Sequence, residues 1–244
     1  MTKLGIIQTS SYNSNEKGIK KISDVLKKMG SKEVEIVCLP EQWLKNNEIS
    51  NFESEFSDFK KIAKEFSMTI IPGAFYHTKK KTAIVAPIIG PTGDIIGIQE
   101  KIHPFDYERR SVRPGKEAKI FKTSCKFGVI ICYDMVFPKV ANNLAKKGAE
   151  VLFSPSRIVN RGIEPWKMYV QVRSLENRIP ILAANVQNHK FGGNSMIVDL
   201  KENNKVFTTK ISKLNKEGNI SKEFELKKYE SSRRNRFSDS NKFQ

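Results

Sequence analysis

Short apolar runs typical of β-strands alternate with helical patterns, and this alternation constrains the fold more than any other feature of the sequence. The first unit pairs a strand at 3–9 with a helix that Ser14 caps and Gly30 ends. Residues 82–100 form a predicted hairpin, because two strand patterns flank the turn residues Gly-Pro-Thr-Gly-Asp. Such a pattern is typical of an α/β protein whose helices cover a mixed sheet or two packed sheets.

The length of 244 residues suits one large domain, and we expect a single domain over residues 1–229. Beyond it the composition becomes polar and basic, so residues 230–244 are expected to form a tail that is mobile or ordered by a partner subunit. The chain has no apolar run of about eighteen residues that could span a membrane, and its start lacks a signal-peptide pattern. A cytoplasmic protein without membrane contact is therefore expected.

The charge balance raises the question of an anionic partner, because 43 Lys and Arg oppose 26 Asp and Glu, a net charge of +17. Residues 201–244 hold 12 of the basic and 6 of the acidic side chains, so most of the surplus is spread over the rest of the chain. No nucleic-acid-binding motif accompanies it, and specific nucleic-acid binding is not expected. Three scattered cysteines and three scattered histidines predict neither disulfides nor a metal site, and no cofactor is expected.

One cysteine stands where a strand pattern meets a helix pattern. The apolar run 128–131 stops at Cys132, and a helical pattern begins near Phe137. A thiol there is held at the carboxyl end of a sheet, and the N–H groups of the next turn would favour its thiolate. Cys132 is therefore either a nucleophile or, like most free cysteines, a small buried apolar side chain.

Other chemically capable side chains also follow predicted strands. Glu41 comes after the strand at 34–39, Lys101 ends the hairpin, and Glu108 lies on a long loop without periodicity. A desolvated carboxylate can take the proton of a thiol, while an ammonium group and a backbone N–H can stabilise the oxyanion formed by attack on an amide. These residues favour Cys132 as a nucleophile.

Several neighbouring polar residues are given structural roles. We interpret His103 as a hydrogen-bonding residue beside the site, and Arg173 with Glu176, three apart on a helix, as an ion pair. Cys38 and Cys125 are interpreted as bystanders.

Short motifs in a fixed order connect the chemically capable residues. They are Leu39-Pro40-Glu41, Glu100-Lys101-Ile102-His103, Glu108 before Pro114-Gly115, Cys132-Tyr133-Asp134 before Phe137-Pro138, Gly148-Ala149-Glu150, Arg173 to Asn177, and Ala183-Ala184-Asn185. In this combination, over about residues 3–200, the chain resembles the nitrilase superfamily of carbon–nitrogen hydrolases.

The resemblance implies a four-layer αββα sandwich that assembles into homodimers or larger homo-oligomers through the helices beside the nucleophile. It also implies a catalytic triad of Glu41, Lys101 and Cys132, with Glu108 as an accessory glutamate. In that scheme Cys132 attacks an amide carbon, a thioester forms, and water releases the acid. Lys101 and the Tyr133 amide would hold the oxyanion.

The Cys-Tyr-Asp motif resembles the amidase and carbamoyl-hydrolase branches, so we expect a small linear amide, an ω-amide or an N-carbamoyl compound, to be hydrolysed to acid and ammonia. The loop arginines Arg109, Arg110 and Arg113 favour a carboxylate-bearing substrate. The candidate substrate-binding residues are Tyr133, Phe137, Arg157 and Asn185.

Two alternatives remain open from the sequence. One is a nitrilase that acts on a small nitrile. The other is a catalytically idle member of the same fold that binds a partner protein or a polyanion through its basic tail.

Overall fold

A computed structural model describes residues 1–78 and 82–240 of the chain. Fourteen strands form two sheets within these ranges. The larger sheet has eight strands in the order β14-β1-β2-β4-β6-β5-β3, with β7 paired to β6, and the smaller has six in the order β13-β12-β11-β10-β9-β8. The strands are β1 Thr2–Gln8, β2 Ile36–Cys38, β3 Glu48–Ile49, β4 Thr69–Ile71, β5 Phe75–His77, β6 Ala83–Ile89, β7 Ile95–Glu100, β8 Ile120–Lys122, β9 Lys126–Val129, β10 Val151–Pro155, β11 Ile181–Ala184, β12 Met196–Asn203, β13 Val206–Lys213 and β14 Gly218–Phe224.

The helices lie on the outer faces of the sheets. The described α-helices are α1 Asn15–Gly30, α2 Phe52–Glu55, α3 Ser57–Glu65, α4 Pro138–Lys146, α5 Ile163–Asn177 and α6 Glu230–Ser240. Helix α1 begins and ends as predicted, because the Ser14 side chain accepts a hydrogen bond from the Lys17 N–H and the helix stops at Gly30. The apolar spacing over residues 54–66 predicts one helix, but it is divided at Phe56, whose non-helical backbone separates α2 from α3.

Three apolar clusters separate the layers. Strand β6 contributes to two of them by alternation, since Ile84 faces the smaller sheet and Val85 faces α1 and α3. Strand β10 does the same, with Phe153 between the sheets and Leu152 against α4 and α5. The order of layers is therefore helix, sheet, sheet, helix, which confirms the expected αββα sandwich.

The first and the last strand, β1 and β14, are neighbours in the larger sheet. Strand β14 pairs with β1 in antiparallel register from Thr2 opposite Phe224 to Gln8 opposite Gly218. The sequence pattern predicts a strand at 223–227, but this long register with β1 makes β14 begin five residues earlier, and a 3₁₀ helix occupies Leu226–Tyr229.

The segment after residue 229 differs from the expected tail over the part that the structure describes. Residues 230–240 form α6, and its buried Arg233 donates hydrogen bonds to the carbonyl oxygens of Ala149 at 2.8 Å and Arg178 at 3.2 Å. These carbonyls belong to the same chain, so α6 packs on its own subunit. The rest of the expected tail, 241–244, lies outside the described residues.

Candidate active site

Glu41 and Lys101 come together because each lies just past a strand of the larger sheet. The Glu41 N–H bonds to the Ser156 carbonyl of the smaller sheet at 3.2 Å. The Lys101 N–H bonds to the Ile84 carbonyl at 2.8 Å, which continues the pairing of β7 with β6. Both side chains point into the space where the two sheets meet, and each is almost fully buried.

Lys101 bridges the two glutamates of the predicted site. Its Nζ atom lies 2.9 Å from Oε1 of Glu41 and 2.8 Å from Oε2 of Glu108. Burial lowers the pKa of Lys101, but Glu41, Cys132 and Glu108 raise it by more, so the pKa is raised overall. Lys101 is therefore held as an ammonium ion between two buried carboxyl groups.

Glu108 is positioned by the short 3₁₀ helix Asp106–Arg110. Its Oε2 atom accepts the Phe105 N–H at 2.7 Å, which fixes the carboxyl group relative to the start of the helix. Burial and then Glu41 raise the pKa of Glu108, and Lys101 opposes this rise.

Cys132 begins a 3₁₀ helix, Cys132–Val136, with a positive φ of 46°. A non-glycine residue in this left-handed region is strained, and such strain is concentrated at functional sites. Its thiol lies close enough to Glu41 and to the backbone N–H of Arg157 for both groups to shift its pKa. The turn thus aims the thiol at the carboxyl group.

The protonation of Cys132 differs from the sequence expectation. Burial, followed by Glu41, raises the pKa of the thiol well above its usual value, although Lys101 and the Arg157 N–H lower it. The expected thiolate assumed that helix N–H groups dominate, whereas the following helix is only five residues long and the sulfur is desolvated beside a carboxyl group. The resting nucleophile is a thiol, so catalysis requires a base.

Asp134 connects the turn of Cys132 to the segment after Lys101. Its buried carboxylate accepts the N–H groups of Ile102 at 3.1 Å and His103 at 2.7 Å, and it lies 2.8 Å from Nδ1 of His103. The His103 ring also stacks on Phe137, with centroids 3.7 Å apart. His103 thus has the hydrogen-bonding role expected from the sequence.

Arg173 of α5 holds the other end of the turn. Its guanidinium donates to the carbonyl oxygens of Met135 at 3.1 Å and Val136 at 2.7 Å, and it pairs with Glu176 at 3.2 Å. The expected ion pair is present. The carbonyl contacts of Arg173 also fix the 3₁₀ helix that begins with Cys132.

A cavity of about 380 Å³ opens over these residues. Glu41, Lys101, Glu108 and Cys132 all line it, and most of the remaining lining is apolar or aromatic. Its other lining residues are Gln42, Phe105, Tyr107, Tyr133, Met135, Val136, Arg157, Ile158, Val159, Gly162, Pro165, Trp166, Tyr169, Lys190 and Phe191.

Two of the four predicted substrate-binding residues, Tyr133 and Arg157, line the cavity, whereas Phe137 and Asn185 do not. Phe137 packs against His103 instead. Asn185 is fully buried because it holds backbone together, accepting the Ile158 N–H at 2.8 Å and donating to the Gly193 carbonyl at 2.6 Å. The structure therefore places these two residues in supporting positions.

The loop arginines expected to favour a carboxylate also lie outside the cavity lining. Arg113 pairs with Glu100, and the Nε atom of Arg109 donates to the Pro104 carbonyl. The cations that line the cavity, apart from Lys101, are Arg157 and Lys190.

Sequence reasoning missed the aromatic wall of the cavity. Trp166 and Tyr169 on α5 and Phe191 on a loop were not singled out. Helix α5 did carry a signal, because its apolar side chains are not confined to one face.

Within residues 1–78 and 82–240, no group of three or more His, Cys, Asp and Glu side chains is arranged to hold a metal ion. Over the same ranges, every helix is too short or too polar to cross a membrane.

The layered fold, with a half-buried cysteine beside a buried lysine and two buried glutamates, defines a hydrolytic α/β enzyme. The sequence model described as Carbon-nitrogen hydrolase matches residues 3–203, so the chain belongs to the carbon–nitrogen hydrolase family of the nitrilase superfamily.

Similar proteins from other organisms agree with this family. A Schizosaccharomyces pombe protein named "Probable nitrilase" is 33% identical over 142 residues, which span 57% of this chain and only 52% of that protein. The 2-oxoglutaramate amidase of Bacillus subtilis is 28% identical over 205 residues, 78% of this chain and 79% of that protein. The crystal structure of a carbon–nitrogen hydrolase from Helicobacter pylori has the same fold, with a TM-score of 0.82, 24% identity and coverage of 96% of this chain and 92% of that one.

Proposed function

We propose that the protein is a cysteine-dependent amidohydrolase that converts a small linear amide to a carboxylic acid and ammonia. The observation that carries this proposal is the contact of the Cys132 thiol with Glu41, which Lys101 joins to Glu108 at one side of the cavity. Membership in the carbon–nitrogen hydrolase family supports the class of bond, and the amidase relative supports an amide over a nitrile.

In the first half-reaction, Glu41 takes the proton of Cys132 and the sulfur attacks the amide carbon. The resulting oxyanion accepts hydrogen bonds from the Lys101 ammonium and from the backbone N–H of Tyr133. Glu41 then gives its proton to the nitrogen, the C–N bond breaks, and ammonia leaves a thioester on Cys132. The raised pKa of the thiol supports this assignment, because the nucleophile needs a base in contact with it.

In the second half-reaction, water attacks the thioester carbon while Glu41 takes a proton from the water. The C–S bond breaks, the acid is released, and Glu41 returns the proton to the Cys132 sulfur. Glu108 is assigned to positioning the substrate or the water, and its contact with Lys101 supports this role.

We further propose that the substrate carries a carboxylate, an ω-amide or a similar amido acid, which Arg157 binds. The guanidinium of Arg157 is held by Gln42 and lies over the Phe191 ring, 4.4 Å from its centroid. Its Nε atom is buried and lacks an acceptor in the part of the chain that the structure describes. A substrate carboxylate matches an arginine held in this way.

A homodimer formed through α5, in the cytoplasm, completes the proposal. Met168 and Val172 on this helix are 64% and 47% exposed, which leaves apolar area for a second copy to cover. The three cysteines are free, as expected in a reducing compartment. We retain residues 1–229 as one catalytic domain, with α6 packed on it.

The test is ammonia release from a panel of ω-amido acids, simple amides, N-carbamoyl compounds and nitriles. Cys132→Ala should abolish release, whereas Cys38→Ala, which alters a buried thiol outside the cavity lining, should retain it. Release from nitriles alone would favour the nitrilase alternative. Silence across the panel from folded protein, together with polyanion binding that is lost on deleting residues 230–244, would favour the idle binding protein.

A further inference from the structure

One face of α5 forms an apolar wall of the catalytic cavity. Pro165 and Trp166 lie four and three residues before Tyr169 and so share its face, and the 3₁₀ residue Gly162 precedes them by three and four residues. Met135 and Val136, from the turn that Cys132 begins, line the same cavity. A chain attached to the Cys132 sulfur therefore has apolar neighbours on both elements.

Two cationic side chains of the lining gather around Phe191. The Arg157 guanidinium lies 4.4 Å from the ring centroid, and the Lys190 ammonium lies 5.6 Å from the same centroid. The acidic residues of the lining, Glu41 and Glu108, are both paired with Lys101. The charge of the lining that is not paired with Lys101 is therefore positive.

The cavity is larger than a short amide needs. Its volume of about 380 Å³ falls within the range of roughly 300–1,000 Å³ typical of pockets that enclose drug-sized ligands. An ω-amide of four or five carbons would leave much of the aromatic wall without a contact, and unfilled apolar surface contributes nothing to affinity.

We infer that the preferred substrate is an amido acid whose amide and carboxylate are separated by an apolar segment longer than that of a five-carbon ω-amide. The apolar segment packs on α5 against Trp166 and Tyr169, and the carboxylate pairs with Arg157 and Lys190. This inference rests on the proposed function and adds the length and character of the acyl group. It assigns Tyr169 as a residue that determines specificity.

The experiment uses monoamides of unbranched dicarboxylic acids with four to ten carbons, since the reactivity of the amide hardly changes along the series. We expect kcat/KM to rise roughly fourfold for each methylene that becomes buried, or about 15-fold from six to eight carbons. In Tyr169→Ala this ratio should fall to about fourfold or less, because part of the wall is removed. Tyr169→Phe, which keeps the ring, should preserve it.

Val172→Ala is the matched control, because Val172 is exposed on α5 one turn beyond Tyr169 but does not line the cavity. It should leave the chain-length ratio unchanged, even if subunit association weakens. Trp166→Ala is a poorer probe, since Trp166 is 4% exposed and belongs to the core beneath α5. Arg173 also contacts the Tyr169 ring, so kcat for the four-carbon amide is followed in each variant to report on the nucleophile turn.

Binding to Cys132→Ala protein, measured by calorimetry, tests the inference apart from catalysis. The Kd should fall by a similar factor for each added methylene. A Kd that stays flat or rises with chain length would overturn the inference, and so would a chain-length ratio that Tyr169→Ala leaves unchanged. Hydrolysis of short amides would still support the proposed function in either case. If the Kd falls along the series but the unaltered protein releases no ammonia, the preference for a long apolar segment is supported and the proposed hydrolysis is overturned.

Discussion

Replacing Lys101 by Met tests the central electrostatic feature of the site. The substitution keeps an unbranched side chain but removes the cation that contacts both Glu41 and Glu108, whose side chains are each 3% exposed. Breaking a buried ion pair by removing one partner costs about 3–5 kcal/mol. We expect the free energy of unfolding at pH 7.5 to fall by about that amount, and kcat to fall by at least about 10²-fold because an oxyanion donor is lost.

The stability of the Lys101→Met protein should depend on pH in one direction. Burial and Glu41 already raise the pKa of Glu108, and Lys101 is the largest opposing influence. Without Lys101 the pKa of Glu108 in the folded state rises further, so the folded state holds a proton that the unfolded state releases. Stability should therefore be greater near pH 5 and fall as the pH rises toward 8, more steeply than in the unaltered protein.

The assay is urea denaturation at pH 5 and pH 7.5 at one fixed protein concentration, with ammonia release measured in parallel. Lys122→Met, at an exposed position on β8, is the matched control and should change neither quantity. The double variant Lys101→Met with Glu108→Gln should regain stability without regaining activity, because one buried charge is removed. A Lys101→Met protein that is within about 1 kcal/mol of normal stability and fully active would refute the reasoning, since a surface lysine behaves in that way.

Three further predictions follow from contacts described above. Glu41→Gln should lower kcat by about 10²-fold or more, because the raised pKa of Cys132 makes a base necessary; an unchanged kcat for amide hydrolysis would contradict this role. Asp134→Ala should lower the melting temperature, since the buried N–H groups of Ile102 and His103 lose their acceptor at about 1–3 kcal/mol each; calorimetric scanning measures the loss, and an unaltered transition would be inconsistent with it. Arg233→Ala should expose residues 230–240 to trypsin, because the hydrogen bonds of Arg233 fasten α6. The kcat should stay within about twofold, because these bonds lie outside the cavity lining. Equal trypsin resistance would mean that other contacts hold the helix.

The positions of the polar site residues could be predicted because they depend on local patterns. Glu41, Lys101 and Cys132 each follow an apolar strand pattern, and strand ends of packed sheets meet at common edges. The layered fold could be predicted for the same reason, since strand and helix periodicities alternate along the chain. The order of strands could not, because pairing such as that of β1 with β14 joins segments far apart in sequence.

The remaining features depend on contacts that one sequence does not display. Whether Cys132 is a thiol or a thiolate is decided by burial and by Glu41, more than ninety positions earlier in the chain. Asn185 was a reasonable candidate ligand by residue type, but the backbone groups of Ile158 and Gly193 occupy its amide. For α6, polar composition predicted a tail, whereas a single buried arginine contacts two carbonyls on distant segments.

The pairing of Lys101 with two glutamates also determines what must cross the boundary of the site during turnover. With a neutral thiol, one ammonium and two carboxylates, the resting site holds one negative charge. In the proposed cycle that charge moves from Glu41 to the sulfur, to the oxyanion and back, but its total stays constant, because the amide group, the water, the ammonia and the newly formed acid are exchanged there in their neutral forms. The substrate carboxylate pairs with Arg157 and not with these side chains, so no further charge has to be desolvated among Lys101, Glu41 and Glu108 at each turnover.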